Sequence, residues 1–349
     1  MAERRHTVDD LKQMQSLPLE AKIRMTIARI QGWIDEFGVD GVYVSFSGGK
    51  DSTVLLDIIR NEMGYRDIPA VFVNVPTQFP ELKDFAKTWD NVEIISPKIG
   101  FMEVCEKHGF PLISKNVSQA IKDVRTQSKT QNCDVRDTQL WHRSFDTNSE
   151  YVKKYPAYSN ARWDFMFDAD FRVSDECCKI MKKAPAKLYE KQTGRKPILA
   201  TMATESKLRQ TEWLLNGCNS FNSKRPSSKP MSFWTEQDVL RYIYERKLPI
   251  CSVYGEVVED FDAEGIFENQ VTFDCFNDDR IYKTTKMKRT GCMLCGFGCQ
   301  MKDDDRFLQL KESHPKMYGL LDVCKNNGVT FREAIEWTNE HLDNQEIKI

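Results

Sequence analysis

Residues 42–60, VYVSFSGGKDSTVLLDIIR, commit the chain to a strand, a tight turn and a helix in immediate succession. Val42–Phe46 is short and β-rich. Thr53–Met63 reads as helical, with Val54, Leu55, Ile58 and Ile59 spaced to form one apolar face. Between them stands Ser47-Gly48-Gly49-Lys50-Asp51-Ser52. Glycines let the backbone turn tightly and come close to an anion. Free N–H groups at the start of a helix, together with the helix dipole, favour a phosphate there. Ser45, Ser47 and Ser52 are the hydroxyl-bearing candidates, and Lys50 adds a point charge. Asp51 does not bind phosphate directly, so it caps the loop or meets a magnesium ion. The Walker A pattern, G-x-x-x-x-G-K-[ST], is excluded because the lysine follows the two glycines directly. A bare GGK would read as an exposed turn; the strand and helix around it make it a phosphate loop.

The same alternation continues. Residues 68–75 (IPAVFVNV) and 91–97 (NVEIISP) read as strands, residues 79–89 as the helix between them, and strand character returns at 196–204 (KPILATMAT). This pattern predicts an α/β fold, a parallel twisted sheet with helices on both faces. Residues 8–37 have helical spacing and place N-terminal helices over 1–38, ahead of a main domain at 39–301. Residues 302–349 read as a helical extension, with two closing helices in 303–341. TEQDVLRYIYERK (235–247) is a helix with Thr235 as N-cap and Asp238 in its first turn. Residues 255–290 read as an irregular excursion. Residues 115–175 are polar and less regular, with scattered aromatic and basic residues. They form either an ordinary surface insertion or a lid over a substrate.

With 349 residues the chain is long enough for one large domain or two modest ones. Its formal net charge of −2 argues against a wholly basic nucleic-acid-binding surface and leaves room for a local patch. No apolar run approaches the ~18 residues of a membrane-spanning helix, and MAERRHTVDDLKQMQ has no signal-peptide core. The expectation is a cytoplasmic protein without a membrane partner. In a reducing compartment eleven cysteines are more often ligands or redox groups than disulfides. Two pairs stand out, Cys177-Cys178 and Cys292-x-x-Cys295. A C-x-x-C turn brings two thiolates to one side. A structural zinc site and unligated buried cysteines both remain open. Cys299 is an extra thiol that could replace a ligand or carry sulfur. Cys105, Cys133, Cys218, Cys251, Cys275 and Cys324 lack partners at ligand spacing and read as packing.

SFSGGKDSTVLL resembles the pyrophosphatase (PP) loop of the adenine-nucleotide alpha-hydrolase superfamily, whose members cleave ATP between its alpha and beta phosphates or bind a related adenylyl compound. Four further stretches narrow the resemblance to the phosphoadenosine phosphosulfate reductase family, in its iron–sulfur-bearing branch. VFVNVPTQFPEL resembles the family's second strand and its following F-P-E. ATESKLRQ resembles its E-S-x-x-R segment, through Glu205, Ser206 and Arg209. KPMSFWTEQDVLRYIYERKLPICSVYGE resembles its tryptophan-bearing helix and following turn, and RTGCMLCGFGC its G-C-x-x-C. The matches run in order over about residues 40–300. The resemblance implies a Rossmann-like sheet. It also implies an adenine nucleotide at Ser45, Ser47, Gly48, Gly49, Lys50, Asp51, Ser52, Glu205, Ser206 and Arg209. It further implies a [4Fe-4S] cluster on Cys177, Cys178, Cys292 and Cys295.

Three departures shape the functional expectation. Assimilatory reductases carry a catalytic cysteine beside a glycine and histidine in a mobile tail, whereas this chain ends HLDNQEIKI and its last cysteine is Cys324. The full S-G-G-K-D-S loop is kept, as in the ATP-cleaving members. The arginine that precedes E-S-x-x-R is replaced near Met202, and the D-T-G of the second strand reads Asn74-Val75-Pro76. The expectation is an enzyme that binds ATP with magnesium and cleaves it to adenylate and pyrophosphate, activating a substrate for sulfur transfer. Lys50 and Arg209 would stabilise charge, and Asp51 would organise the loop or the metal. The competitors are a sulfonucleotide reductase that releases sulfite through Cys299 or Cys324, and a regulatory or defence-associated nucleotide-binding protein without turnover. A cysteine desulfurase or thioredoxin is the expected kind of sulfur donor. A nucleic-acid acceptor would suit the basic insertion.

Overall fold

Val42–Phe46 is an interior strand: Val42, Val44 and Phe46 on one face and Tyr43 on the other are at most 2% exposed. A central parallel strand covered on both faces requires such a run. It pairs in parallel with Ala70–Val73 on one side and Lys196–Leu199 on the other. Val92–Ile95 extends the sheet in parallel beyond Ala70–Val73. Ser227–Ser228 extends it in parallel at the other end, and Asn219–Ser220 closes that edge antiparallel. The result is the expected α/β architecture, a mostly parallel six-stranded sheet flanked by helices. From Val42–Phe46 the chain first builds outward to one side, then returns to build the other. The strand order therefore reverses beside the carboxyl end of Val42–Phe46, where α/β sheets bind ligands.

The computed structural model describes residues 5–156, 159–261, 280–342 and 347–349. Cys275 lies outside the described residues. The chain divides into two units. The first comprises residues 1–74, 79–95 and 186–290 and holds the sheet. The N-terminal helices expected over 1–38 are Val8–Gln15 and Leu19–Phe37, divided because Pro18 cannot continue the first and suits the start of the second. Helix Glu236–Arg246 begins as expected at Thr235, whose side chain forms a reciprocal capping box with Asp238. Asp238 also receives Lys22 Nζ at 2.8 Å, and Trp234 Nε1 donates to the buried Thr26 hydroxyl at 2.9 Å. Within the span expected to be irregular, Val257–Glu259 pairs antiparallel with Tyr282–Thr284. Among the described residues no helix is long and apolar enough to cross a membrane.

The second unit comprises residues 75–78, 96–185 and 291–349. Here the expectation of irregular structure over 115–175 is corrected. Lys115–Gln131 is a long helix capped by Ser114, with Val117, Ile121 and Val124 buried. The stripe is narrow, and the polar residues around it masked it. Shorter helical pieces follow at Gln139–Ser144, Glu150–Lys154 and Ala161–Phe167. Several of the basic residues serve the fold itself. Arg125 donates to the carbonyls of Phe171 and Met166, Arg136 pairs with Asp164 and Asp168, and Lys122 pairs with Glu176. The closing segment has three helices rather than two, Arg306–Ser313, Pro315–Tyr318 and Phe331–Glu340. Pro315 ends the first of these, and a hairpin of Lys325–Asn326 with Val329–Thr330 precedes the last.

Asn326 ties this unit together. Its buried amide donates to the carbonyls of Cys105 and Glu106 at 2.8 and 2.9 Å and accepts from Arg172 N at 2.8 Å. Asn326→Ala strands three backbone groups and is expected to lower unfolding free energy by about 2–4 kcal/mol, read from denaturant melts. A loss below about 0.5 kcal/mol, the scale of an ordinary surface change, would contradict this role.

Candidate functional site

The loop of residues 47–52 begins where the central strand ends. Gly48 takes φ +71°, and a Cβ there would sit 3.0 Å from the Leu82 carbonyl oxygen. Gly49 caps the helix without a side chain, so the helix starts at Lys50, three residues earlier than its apolar spacing suggested. The two serines brace the turn. Ser52 Oγ accepts from Ser47 N at 3.2 Å and donates to Gly49 O at 2.9 Å, while Ser47 Oγ accepts from Gly49 N at 3.3 Å. Ser45 sits on the central strand between Val71 and Leu199. Gly48→Ala is expected to weaken nucleotide binding about tenfold, a 1.4 kcal/mol penalty for forcing a side chain into left-handed backbone against a carbonyl. Calorimetric titration of the variant checks it, and unchanged affinity would show that the loop does not need this turn.

Lys50 is the buried cation of the loop. Its side chain is 3% exposed, with Nζ 3.2 Å from Glu236 Oε1, 3.6 Å from Asp51 Oδ1 and 3.3 Å from the Lys288 carbonyl it donates to. Burial raises the Asp51 carboxyl above the ordinary carboxylate range, and Lys50 offsets this only in part. Asp51 Oδ1 is buried without a hydrogen-bond partner among the described residues. Arg209 is half-buried and contacts Glu205. Burial lowers its pKa, while the charge of Asp51 acts the other way. Glu205 and Ser206 also shape the backbone: Glu205 Oε2 accepts from Met202 N at 2.9 Å, and Ser206 Oγ caps the helix Lys207–Asn216 through Arg209 N. Arg209 lines a small cavity with Thr201, Met202, Glu212, Trp213 and Lys229. Tyr254, Thr290, Arg289 and Glu236 join this region without having been singled out in the sequence. The Tyr254 hydroxyl lies 2.8 Å from Thr290 Oγ1, and its ring centroid is 5.8 Å from Lys50 Nζ. Arg289 interacts electrostatically with both Asp51 and Arg209.

The four paired cysteines meet in the second unit. Cys177 and Cys178 lie in the short helical segment Glu176–Cys178, which runs into a π-helical turn at Lys179–Lys183. Such turns recur at functional sites. Cys292 and Cys295 are drawn together by a Cys295 N to Cys292 O bond of 3.1 Å. All four line one small cavity with Thr77 and Lys182. A hydrogen bond from Cys177 holds Cys178 below the usual thiol range, and the same bond pushes Cys177 up. Burial pushes Cys295 up to about 11. Burial also opposes charge on Lys182, yet the sulfurs of Cys292 and Cys178 outweigh it and keep the ammonium protonated. Lys182 follows Cys178 by four residues, about one helical turn, which is the signal that could have found it. Thr77 Oγ1 is buried with no hydrogen-bond partner among the described residues.

Cys299 is 1% exposed and donates to the Gly296 carbonyl; burial pushes it up to about 12. Cys324 is fully buried against Cys105. Among the described residues no three or more of His, Cys, Asp and Glu converge on a point as a single ion requires. The donor set, four thiols lining one cavity, suits an iron–sulfur cluster and a four-thiolate zinc site alike.

The sequence matches the family profile described as phosphoadenosine phosphosulfate reductase domain over residues 41–92 and 142–296. These spans include the phosphate loop and both cysteine pairs. No curated protein matches it. Among solved structures it is similar to the crystal structure of phosphoadenylyl-sulfate (PAPS) reductase from Candida auris in its phosphate complex. The two share 16% identity and a TM-score of 0.34, over 72% of this chain and 91% of that one.

Proposed function

Because the chain belongs to the phosphoadenosine phosphosulfate reductase domain family, we propose that it is an ATP-cleaving member of that family, which adenylates a substrate for sulfur transfer. The observation that carries this reading is Lys50, buried beside Asp51 and Glu236 at the start of the helix Lys50–Asp57, an end whose free amides suit an anion. An intact triphosphate brings more negative charge to such a cation than a sulfonucleotide does. An acceptor oxygen attacks the alpha phosphorus, and the bond to the bridging oxygen breaks. Pyrophosphate leaves with that electron pair, and the acceptor carries AMP. A sulfur nucleophile then displaces AMP. The loop amides, Lys50 and Arg209 position the phosphates and neutralise their charge, which is the main source of rate in such transfers. Asp51 would hold magnesium, exchanging its ion pair with Lys50 for the metal.

A [4Fe-4S] cluster would be held by Cys177, Cys178, Cys292 and Cys295 and would supply redox or sulfur chemistry. The sulfur donor would be a partner of the cysteine desulfurase or thioredoxin kind. For a nucleic-acid acceptor, the contact would fall to basic residues of the 115–175 segment outside the internal pairs of Arg125, Arg136 and Lys122. The reductase reading needs an accessible thiol, and Cys299 and Cys324 are both at most 1% exposed. Anaerobic incubation with magnesium and ATP is expected to release pyrophosphate and AMP. Thioredoxin-dependent sulfite release from a sulfonucleotide, with ATP inert, would overturn the proposal in favour of the reductase. Nucleotide binding without any product would leave a binding protein.

A further inference from the structure

We infer that Arg306 is a positioning residue for the Cys292–Cys299 loop: it fixes where Cys295 presents its sulfur and places a second cation, besides Lys182, beside the cysteine cavity. The role at a cluster rests on the iron–sulfur reading above; the role in the loop does not. The loop is tied down at its start and along its later part. Met293 N donates to Thr77 O at 2.7 Å, and Cys292 bridges Gln78. Gly296 and Phe297 pair in parallel with Leu112 and Ile113, and Gly298 N donates to Ile113 O at 2.7 Å. These bonds leave the carbonyls of Cys295 and Phe297 to be satisfied, one on each side of Gly296. A single nitrogen, Arg306 Nη1, donates to both at 2.9 Å.

The guanidinium is itself clamped. Asp304 accepts from Nε at 2.8 and 3.0 Å and from Nη2 at 2.5 Å. A planar fork held on one edge by a carboxylate can serve two carbonyls with its other edge, whereas a lysine ammonium is a point charge without that geometry. Half-burial opposes the charge on Arg306, and Asp304 more than compensates. Cys295 and Cys299 both lie within its electrostatic reach. The loop's neighbour adds a reason for such bracing. Ile113 is a buried β-branched residue at φ +72°, a conformation that persists only where the surroundings over-determine it.

The test uses the full chain, purified anaerobically as wild type, Arg306→Gln, Arg306→Lys and Asp304→Asn. Circular dichroism establishes that each variant is folded. Iron content, the rate of iron release to a chelator and the midpoint potential by EPR titration are then read. Arg306→Gln is expected to release iron about tenfold faster than wild type, the scale on which groups supporting metal ligands act. Its potential should move to more negative values, because reduction adds negative charge where a cation has been removed. Arg306→Lys should restore most of the potential but not the retention, and Asp304→Asn should fall between wild type and Arg306→Gln. Wild-type release and potential in Arg306→Gln would overturn the inference. If that variant fails to fold, wild-type iron retention in Arg306→Lys would do so. A wild-type chain without iron would refute the cluster alone. The loop is then read by alkylation of Cys295 and Cys299 in the metal-free chain, expected at least about fivefold faster in Arg306→Gln as the loop opens locally. Equal alkylation rates would sink the inference there as well.

Discussion

Lys50→Met is expected to lower pyrophosphate release from ATP by about 100- to 1,000-fold, the range seen when one preorganised charge-stabilising donor is lost. Methionine keeps the apolar length of the side chain and removes only the ammonium. The lost charge faces Glu236 at 3.2 Å and Asp51 at 3.6 Å, so the variant leaves two carboxylates at the loop with weaker compensation. The turnover number should fall more than the affinity, because the loop amides and serine hydroxyls still bind ground-state phosphate. A second signature distinguishes this from simple misfolding. Burial already favours the protonated form of Asp51 in the folded chain, and Lys50 is the largest opposing influence. An acid whose folded pKa is raised contributes most stability below its unfolded value, and that contribution is lost as pH rises through the folded value. Removing Lys50 raises the folded value further. The stability deficit of Lys50→Met should therefore be small near pH 4 and widen as pH rises above the ordinary aspartate range, read by thermal melts across pH. Wild-type pyrophosphate release in the variant would remove Lys50 from the chemistry.

The sequence exposed those parts of the molecule whose determinants are local. Val42–Phe46 is a solid apolar run because both its faces are covered, and Thr235 with Asp238 announces a helix start from side-chain chemistry three residues apart. Local signals failed where backbone alone sets the element boundary. The helix after the loop begins at Lys50 because Gly49 caps it without a side chain, and apolar periodicity is silent on that. The segment 115–175 misled for another reason. Its buried stripe is only Val117, Ile121 and Val124, and its basic residues look like a solvated or nucleic-acid-binding surface until Arg125 is seen holding two carbonyls. Pairings across long separations were invisible. Lys50 meets Glu236, and Cys105 meets Cys324, through the fold alone. Thr77 carried no signal inside VPTQF, because its meaning depends on being buried beside cysteines far along the chain.

Cys177→Ala and Cys292→Ala are each expected to abolish the visible absorbance of the anaerobically purified protein and to drop iron from about four per chain towards zero, since a [4Fe-4S] cluster takes one thiolate per iron corner. Cys299→Ala should retain both. All of these thiols are close in sequence or space, so the contrast comes from where each sulfur is directed. Cys177, Cys178, Cys292 and Cys295 line the cavity with Lys182, whereas Cys299 donates to the carbonyl of Gly296 in its own loop. Lys182→Met separates charge from ligation: it keeps four thiols but removes the ammonium that donates to Cys292. The cluster of that variant should form and then be lost faster on exposure to air, because four thiolates around iron concentrate negative charge in a buried site. Iron retained in Cys292→Ala but lost in Cys299→Ala would exchange their assignments. Colourless wild-type protein containing one zinc would overturn the cluster and make the four cysteines a zinc site.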